Sequence, residues 1–193
     1  MELLDIHTHH SPSNPLQAIM NVVASAGTAL RLPSEDGFYS IGYHPWYLSA
    51  DKEGDWSSLT SIANRTNVLA IGETGLDKLA DATLDVQEHA FRKHIEISES
   101  IKKPLIIHAV HTLSEVIHLK KELNPAMPWI IHGFRGKKEM AKQLTDHGFY
   151  LSLGEKYNEE ALKVIPVDKL FLETDESDVP ILTLYQNASQ YLD

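Results

Sequence analysis

The stretch Val68-Leu69-Ala70-Ile71-Gly72-Glu73 carries the pattern that decides the fold: four apolar residues, a glycine, then a carboxylate. It is short, aliphatic and ends on a polar group, as expected of a strand buried on both faces. The same design recurs on either side of it. Residues 3–7, 20–24 and 38–43 precede it, and 104–108, 129–132, 150–153 and 170–175 follow. Helical patterns lie between several of these runs. Within 85–101, Val86, Ala90, Phe91, Ile95 and Ile97 share one apolar face, and Gln87 and Phe91 are expected to pack there. Within 112–123, Leu113, Val116, Ile117 and Leu119 do likewise, behind Thr112 and Glu115 in capping-box spacing. Residues 137–147 form a third pattern, stopped by Gly148.

Alternating helices and uniformly apolar strands imply an α/β fold with a parallel sheet covered on both faces. Eight runs predict a TIM-type (β/α)8 barrel. At 193 residues the chain is short for that fold, which typically takes ~250. The segment between Met20 and Phe38 has no room for a helix and its loops, and residues 176–193 hold one modest helix. The expectation is therefore one domain, 1–193, trimmed near the second strand and at the C-terminus. An open doubly wound sheet is the rival architecture.

Hydrophobic residues make up 42% and charged residues 23%, enough apolar material for a proper core. No apolar run is long enough to span a bilayer, and the N-terminal residues lack the basic and apolar regions of a signal peptide. With no cysteine, disulfides and thiolate ligands are excluded, and a cytoplasmic location is expected. The net charge of -10 opposes non-specific adhesion to nucleic acid, though metal ions can neutralise local carboxylates.

The polar residues closing the runs are of one chemical kind. His7 and His9, Glu73, His108, His132 and Asp175 all fall at strand ends. In a parallel barrel those ends share one face, where active sites form. Singly, each has a bland explanation: a surface turn, a hydrogen-bonded core histidine, a helix cap. Together, imidazoles and carboxylates on one face suit Zn, Mn or Mg-like cations. His7 and His9, two apart on a strand, point to the same side and can reach a single ion.

These segments resemble the TatD family of metal-dependent hydrolases. Asp5-Ile6-His7-Thr8-His9 is similar to its opening motif, Ile71-Gly72-Glu73-Thr74-Gly75-Leu76-Asp77 to its second, and Pro104-Leu105-Ile106-Ile107-His108 to its third. Ile131-His132-Gly133-Phe134-Arg135-Gly136 and Leu172-Glu173-Thr174-Asp175 resemble the last two. The resemblance implies two divalent metal ions (Zn, Mg or Mn), one on His7 and His9, the other on His108 and His132. Glu73 would bridge them, and Asp175 would bind metal and position or deprotonate the attacking water. It implies cleavage of phosphoesters, with DNA ends or short single-stranded oligonucleotides among the expected substrates.

His44, in Tyr43-His44-Pro45, resembles a family histidine that faces the substrate, so it is a candidate phosphate contact. Tyr43, Trp46 and Trp129 are candidates to stack on a base, although Trp129 also suits the core. Two departures stand out. Val110 occupies the place of a family arginine, and Arg135 that of a serine, so Arg135, with Lys137 or Lys138 behind it, is a candidate replacement grip on phosphate. Glu176 and Asp178 crowd Asp175 and disfavour a long polyanion. Rival functions are an amidohydrolase acting on a lactone, amide or amine, and a non-catalytic metal-binding barrel. The former usually bridges its metals through a carboxylated lysine, where this chain has Glu73. Incompletely covered strands would offer a surface to an oligomeric partner.

Overall fold

The computed structural model describes residues 4–51 and 54–192; Leu3, the expected start of the first run, lies outside them. Eight parallel strands stand in sequence order, each beside the next: β1 (Asp5–Thr8), β2 (Ala18–Val23), β3 (Phe38–Gly42), β4 (Val68–Asp77), β5 (Leu105–Val110), β6 (Trp129–Ile131), β7 (Tyr150–Leu153) and β8 (Leu170–Leu172). The ring closes just past β8. The amide of Asp175 donates to His7 O at 3.0 Å and the amide of His9 to Asp175 O at 3.0 Å. Sequential order plus this closure makes a TIM-type barrel and rules out the open doubly wound sheet, whose strand order reverses at a switch point.

Helices α1 (Trp56–Ala63), α2 (Leu84–Ile101), α3 (Leu113–Leu123), α4 (Lys138–Asp146), α5 (Glu159–Leu162) and α6 (Ile181–Ser189) follow β3 to β8 in turn. Among the described residues no helix follows β1 or β2. In the second connection, Leu30 and Leu32 pack against the core instead. The barrel is thus trimmed at its second strand as expected. None of the helices is long and apolar enough to cross a membrane.

Two apolar layers hold the barrel. Outside it, Ile41, Ile71, Ile107 and Ile131 meet Leu59, Phe91, Val116 and Leu144 of the helices. Inside, Ile6, Ile19, Ala70, Ile106 and Ile130 form the floor. Burying each large side chain stabilises by roughly 1.5–3 kcal/mol. Strand residues two apart face the same way, so His108 and His132 stand directly above Ile106 and Ile130. The apolar floor thereby sets the depth of the polar mouth.

Three local expectations are corrected. Thr112 makes no cap for α3; its hydroxyl is buried and donates to Leu76 O at 2.8 Å, while Glu115 pairs with Lys78. Gln87 does not merely pack. Its amide clamps the end of β4, accepting from Asp77 N at 2.7 Å and donating to Asp77 O at 2.9 Å. Tyr43 is buried, with its ring against Trp56 and its hydroxyl accepting from Asp55 N. It cannot reach a base. Trp129 is also buried, between Phe91 and Phe149, which leaves Trp46 as the exposed member of that trio.

Candidate metal centre

Glu73 is the hub of the mouth. Its backbone must pass close to β5, and the flanking glycines permit this. A side chain at Gly72 or Gly75 would collide with the carbonyls of Ile106 or His108, and both residues hold a positive φ. The two carboxylate oxygens of Glu73 face different partners. Oε2 lies 3.4 Å from His7 Nε2 and 3.2 Å from His9 Nε2. Oε1 lies 2.8 Å from His108 Nδ1, 2.7 Å from His132 Nε2 and 3.1 Å from His44 Nε2. Asp175 Oδ1 sits across from the first group, 3.8 Å from His7 Nε2 and 3.7 Å from His9 Nε2. All six strand-end residues singled out in the sequence therefore converge.

This donor set fits divalent cations. In each of His7–His9–Glu73, His7–His132–Asp175 and His44–Glu73–His108, the ligand atoms lie within 4.8 Å of one another. Among the described residues both ring nitrogens of His7 are buried without a hydrogen-bond partner, a costly arrangement that a bound cation would relieve at the nitrogen facing Glu73. His44 is better read as a donor than a ligand. Its Nδ1 accepts from the amide of Trp46 at 3.1 Å, so the proton resides on Nε2, which points at Glu73.

The charges are mutually supported. Burial alone would raise the Glu73 carboxyl, but the imidazoles of His132, His108 and His44 hold it well below the carboxylate range. Burial opposes the charge of His132, yet Glu73 and Glu173 push that group well above the usual histidine value. His9 is raised chiefly by its hydrogen bond to Glu73. Metal ligation needs neutral imidazole, so a cation would displace the protons that Glu73 favours on His132 and His9.

Sequence reasoning missed the residues that orient these ligands. Asp77 Oδ2 accepts from His108 Nε2 at 2.9 Å, leaving Nδ1 free to face Glu73. Glu173 Oε1 faces His132 Nδ1 at 3.3 Å and accepts from Gly133 N at 2.6 Å. Asp5, raised by burial, accepts from the amide and hydroxyl of Thr174 and so ties β1 to the segment bearing Asp175. All three sit inside the quoted motifs, which was the available signal. Arg135 is exposed, has no partner among the described residues, and borders two clefts that both reach Asp175. One, of about 640 Å³, is also lined by Glu155, Lys156, Glu176 and Asp178; the other, of about 560 Å³, by Val110, His111 and Phe134. Lys137 and Lys138 line neither cleft.

A parallel eight-stranded barrel with a histidine–carboxylate cluster at its carboxyl mouth defines a class of metal-centred barrels. Within it the particular family follows from comparison: the TatD related DNase model matches residues 5–192, and the chain belongs to that family. A metal-dependent hydrolase of Buchnera aphidicola subsp. Baizongia pistaciae is 33% identical over 79% of this chain and 62% of its own length. The metal-dependent hydrolase YabD of Bacillus subtilis is 34% identical over 76% of this chain and 60% of its own. The chain thus spans about three fifths of these curated relatives. YJJV, a TatD homolog from Escherichia coli, superposes with a TM-score of 0.73 at 19% identity, over 93% of this chain and 80% of that one. A TatD family hydrolase from Entamoeba histolytica gives 0.69 at 19%, over 90% and 73%. At that identity these two structures establish the shared fold.

Proposed function

We propose that the chain is a metal-dependent phosphoesterase holding two divalent cations, acting on DNA ends, short single strands or small phosphodiesters. The observation that carries this is the division of labour at Glu73, whose two oxygens face two separate sets of imidazoles. His7, His9, Asp175 and Glu73 Oε2 would hold one cation; His108, His132 and Glu73 Oε1 the other. When bound, such a pair makes a water acidic enough to attack near neutral pH and offsets charge developing on phosphoryl oxygens. The family's name as a DNase supports phosphorus as the electrophile.

The chain's own groups supply the remainder. Asp175, partly exposed at the mouth, accepts the proton of the attacking water at its carboxylate. His44 gives its Nε2–H to Glu73 Oε1 and so holds the carboxylate that the two sets of imidazoles share. Arg135, free at the junction of both clefts, clamps the phosphate in place of the arginine that Val110 has displaced. Glu155, Glu176 and Asp178 line the larger cleft and repel a continuous polyanion, so the end of a strand suits it better than duplex.

The test is hydrolysis of bis-p-nitrophenyl phosphate and a short labelled single-stranded oligonucleotide with Mg, Mn, Co and Zn, in wild type and Asp175→Asn. Metal-dependent cleavage that the variant loses is the expected result. No cleavage by metal-loaded wild type would overturn the assignment. Arg135→Ala should raise KM with kcat little changed.

A further inference from the structure

Trp46 sits on the 3-10 turn Pro45–Tyr47, immediately after His44. The residue is 59% exposed, an unusual state for the largest apolar side chain. Yet the ring is not free to swing. Nε1–H donates to Asp77 Oδ2 at 2.6 Å, the same oxygen that accepts from His108 Nε2 at 2.9 Å. The amide of Trp46 holds His44 Nδ1 at 3.1 Å, and the two rings meet edge to face at 5.8 Å. One residue thus braces both His44 and His108. Its polar edge is spent inside the centre while much of its surface stays open to solvent. Beside it Tyr47 is 57% exposed and lies 5.8 Å from the His44 ring. Solubility alone would favour a polar residue at each position. A flat ring fixed by its edge beside a hydrolytic centre is a stacking platform, since aromatic faces bind planar rings with little dependence on their identity.

We propose that Trp46 is a specificity-determining residue, on whose exposed face a planar ring carried beside the substrate's phosphorus stacks. The inference rests on the phosphoester assignment and narrows its substrate class to esters bearing a nucleobase or aryl group. Because Asp77 serves both Trp46 and His108, ring binding and ligand orientation meet at one carboxylate.

Calorimetric titration of the Mn-loaded protein with deoxyribose 5-phosphate, thymidine 5′-phosphate and phenyl phosphate separates the two claims. The ring-bearing esters should bind about tenfold more tightly than the sugar phosphate, within the range for one stacked base. A gain shared by both assigns a general ring platform; a gain confined to the thymidine ester assigns a nucleobase. Trp46→Leu, which also removes the N–H bond to Asp77, should bring the ring-bearing esters to parity with the sugar phosphate. Trp46→Phe, which keeps a ring but loses the N–H to Asp77, should retain the preference, and it decides the matter should Trp46→Leu fail to fold. Parity in wild type, or a preference that survives Trp46→Leu, overturns the inference and leaves the phosphoester assignment standing. Failure of all three ligands to bind overturns both.

Discussion

The two sides of the barrel deliver their histidines to Glu73 by different means. On the β4–β7 side, full-length connections carry α2, α3 and α4, and each histidine is held from behind. Asp77 grips His108 and Glu173 faces His132. On the β1–β3 side, among the described residues, β1 and β2 lack following helices and neither ring nitrogen of His7 makes a hydrogen bond. One half is organised by the protein itself. In the other, the first strand is tied by barrel closure at Asp175 and by the bonds of Thr174 to Asp5, and the ring of His7 is left for an ion to orient. Glu73, reaching toward both with separate oxygens, makes them one site.

If Glu73 unites the halves, Glu73→Gln should empty both. Metal content measured by mass spectrometry should fall to background, with phosphodiester hydrolysis lowered on the order of 10³-fold. Retention of ions on the β4–β7 side would break the comparison, showing that half to be self-sufficient.

A second consequence concerns His94 of α2, which accepts from the amide of Tyr43 through Nε2 and lies 2.7 Å from Ala90 O through Nδ1. Desolvation lowers its pKa to about 4. A folded-state value below the ordinary 6.5 means that the unfolded chain binds the proton more readily. Its contribution is therefore complete above pH 6.5 and falls as pH drops toward 4, by about 3 kcal/mol in all. Urea unfolding at pH 7 and pH 4.5 should show this loss in wild type, and His94→Gln should show a shallower dependence. Equal slopes would show that burial of His94 between α2 and the end of β3 does not set this pH dependence.

Next come the groups behind the ligands. Asp77→Asn and Glu173→Gln should each weaken metal affinity about 10- to 100-fold, the usual cost of losing the partner that orients a ligating histidine. Competition with a fluorescent chelator measures it directly. Unchanged affinity would mean that the ligands on this side need orienting no more than His7 does. The smallest expected effect is that of Thr112→Ala, which removes the buried bond to Leu76 O at the end of β4. It should cost about 1 kcal/mol of stability and leave metal affinity untouched.

The sequence made the centre legible because every candidate ligand closes a strand, and in a parallel barrel strand ends share a face. His7, His9, Glu73, His108, His132 and Asp175 could therefore be grouped before any distance was known. The missing helix after β2 was equally plain, since a connection of that length cannot hold one. What could not be read were contacts made across the mouth. Asp77 looked like a motif's tail, but β4 runs on to include it and brings its carboxylate to His108 and Trp46. Thr112 and Glu115 have capping-box spacing, yet burial beside Leu76 offers the hydroxyl a better acceptor. Gln87 sits among apolar neighbours at helical spacing, and only the loop folded over it shows that its amide is the clamp. Spacing reports which residues share a face; it does not report which polar groups bond across it.

The claim on which all this depends is that Glu73 joins two adjoining cation positions. Titrating the metal-free chain with Mn(II) while recording its electron paramagnetic resonance tests that directly. Two ions bound per chain, with the spin-coupled signal of neighbouring manganese, is the result the account predicts. Saturation at one ion, with an uncoupled six-line spectrum, would contradict it.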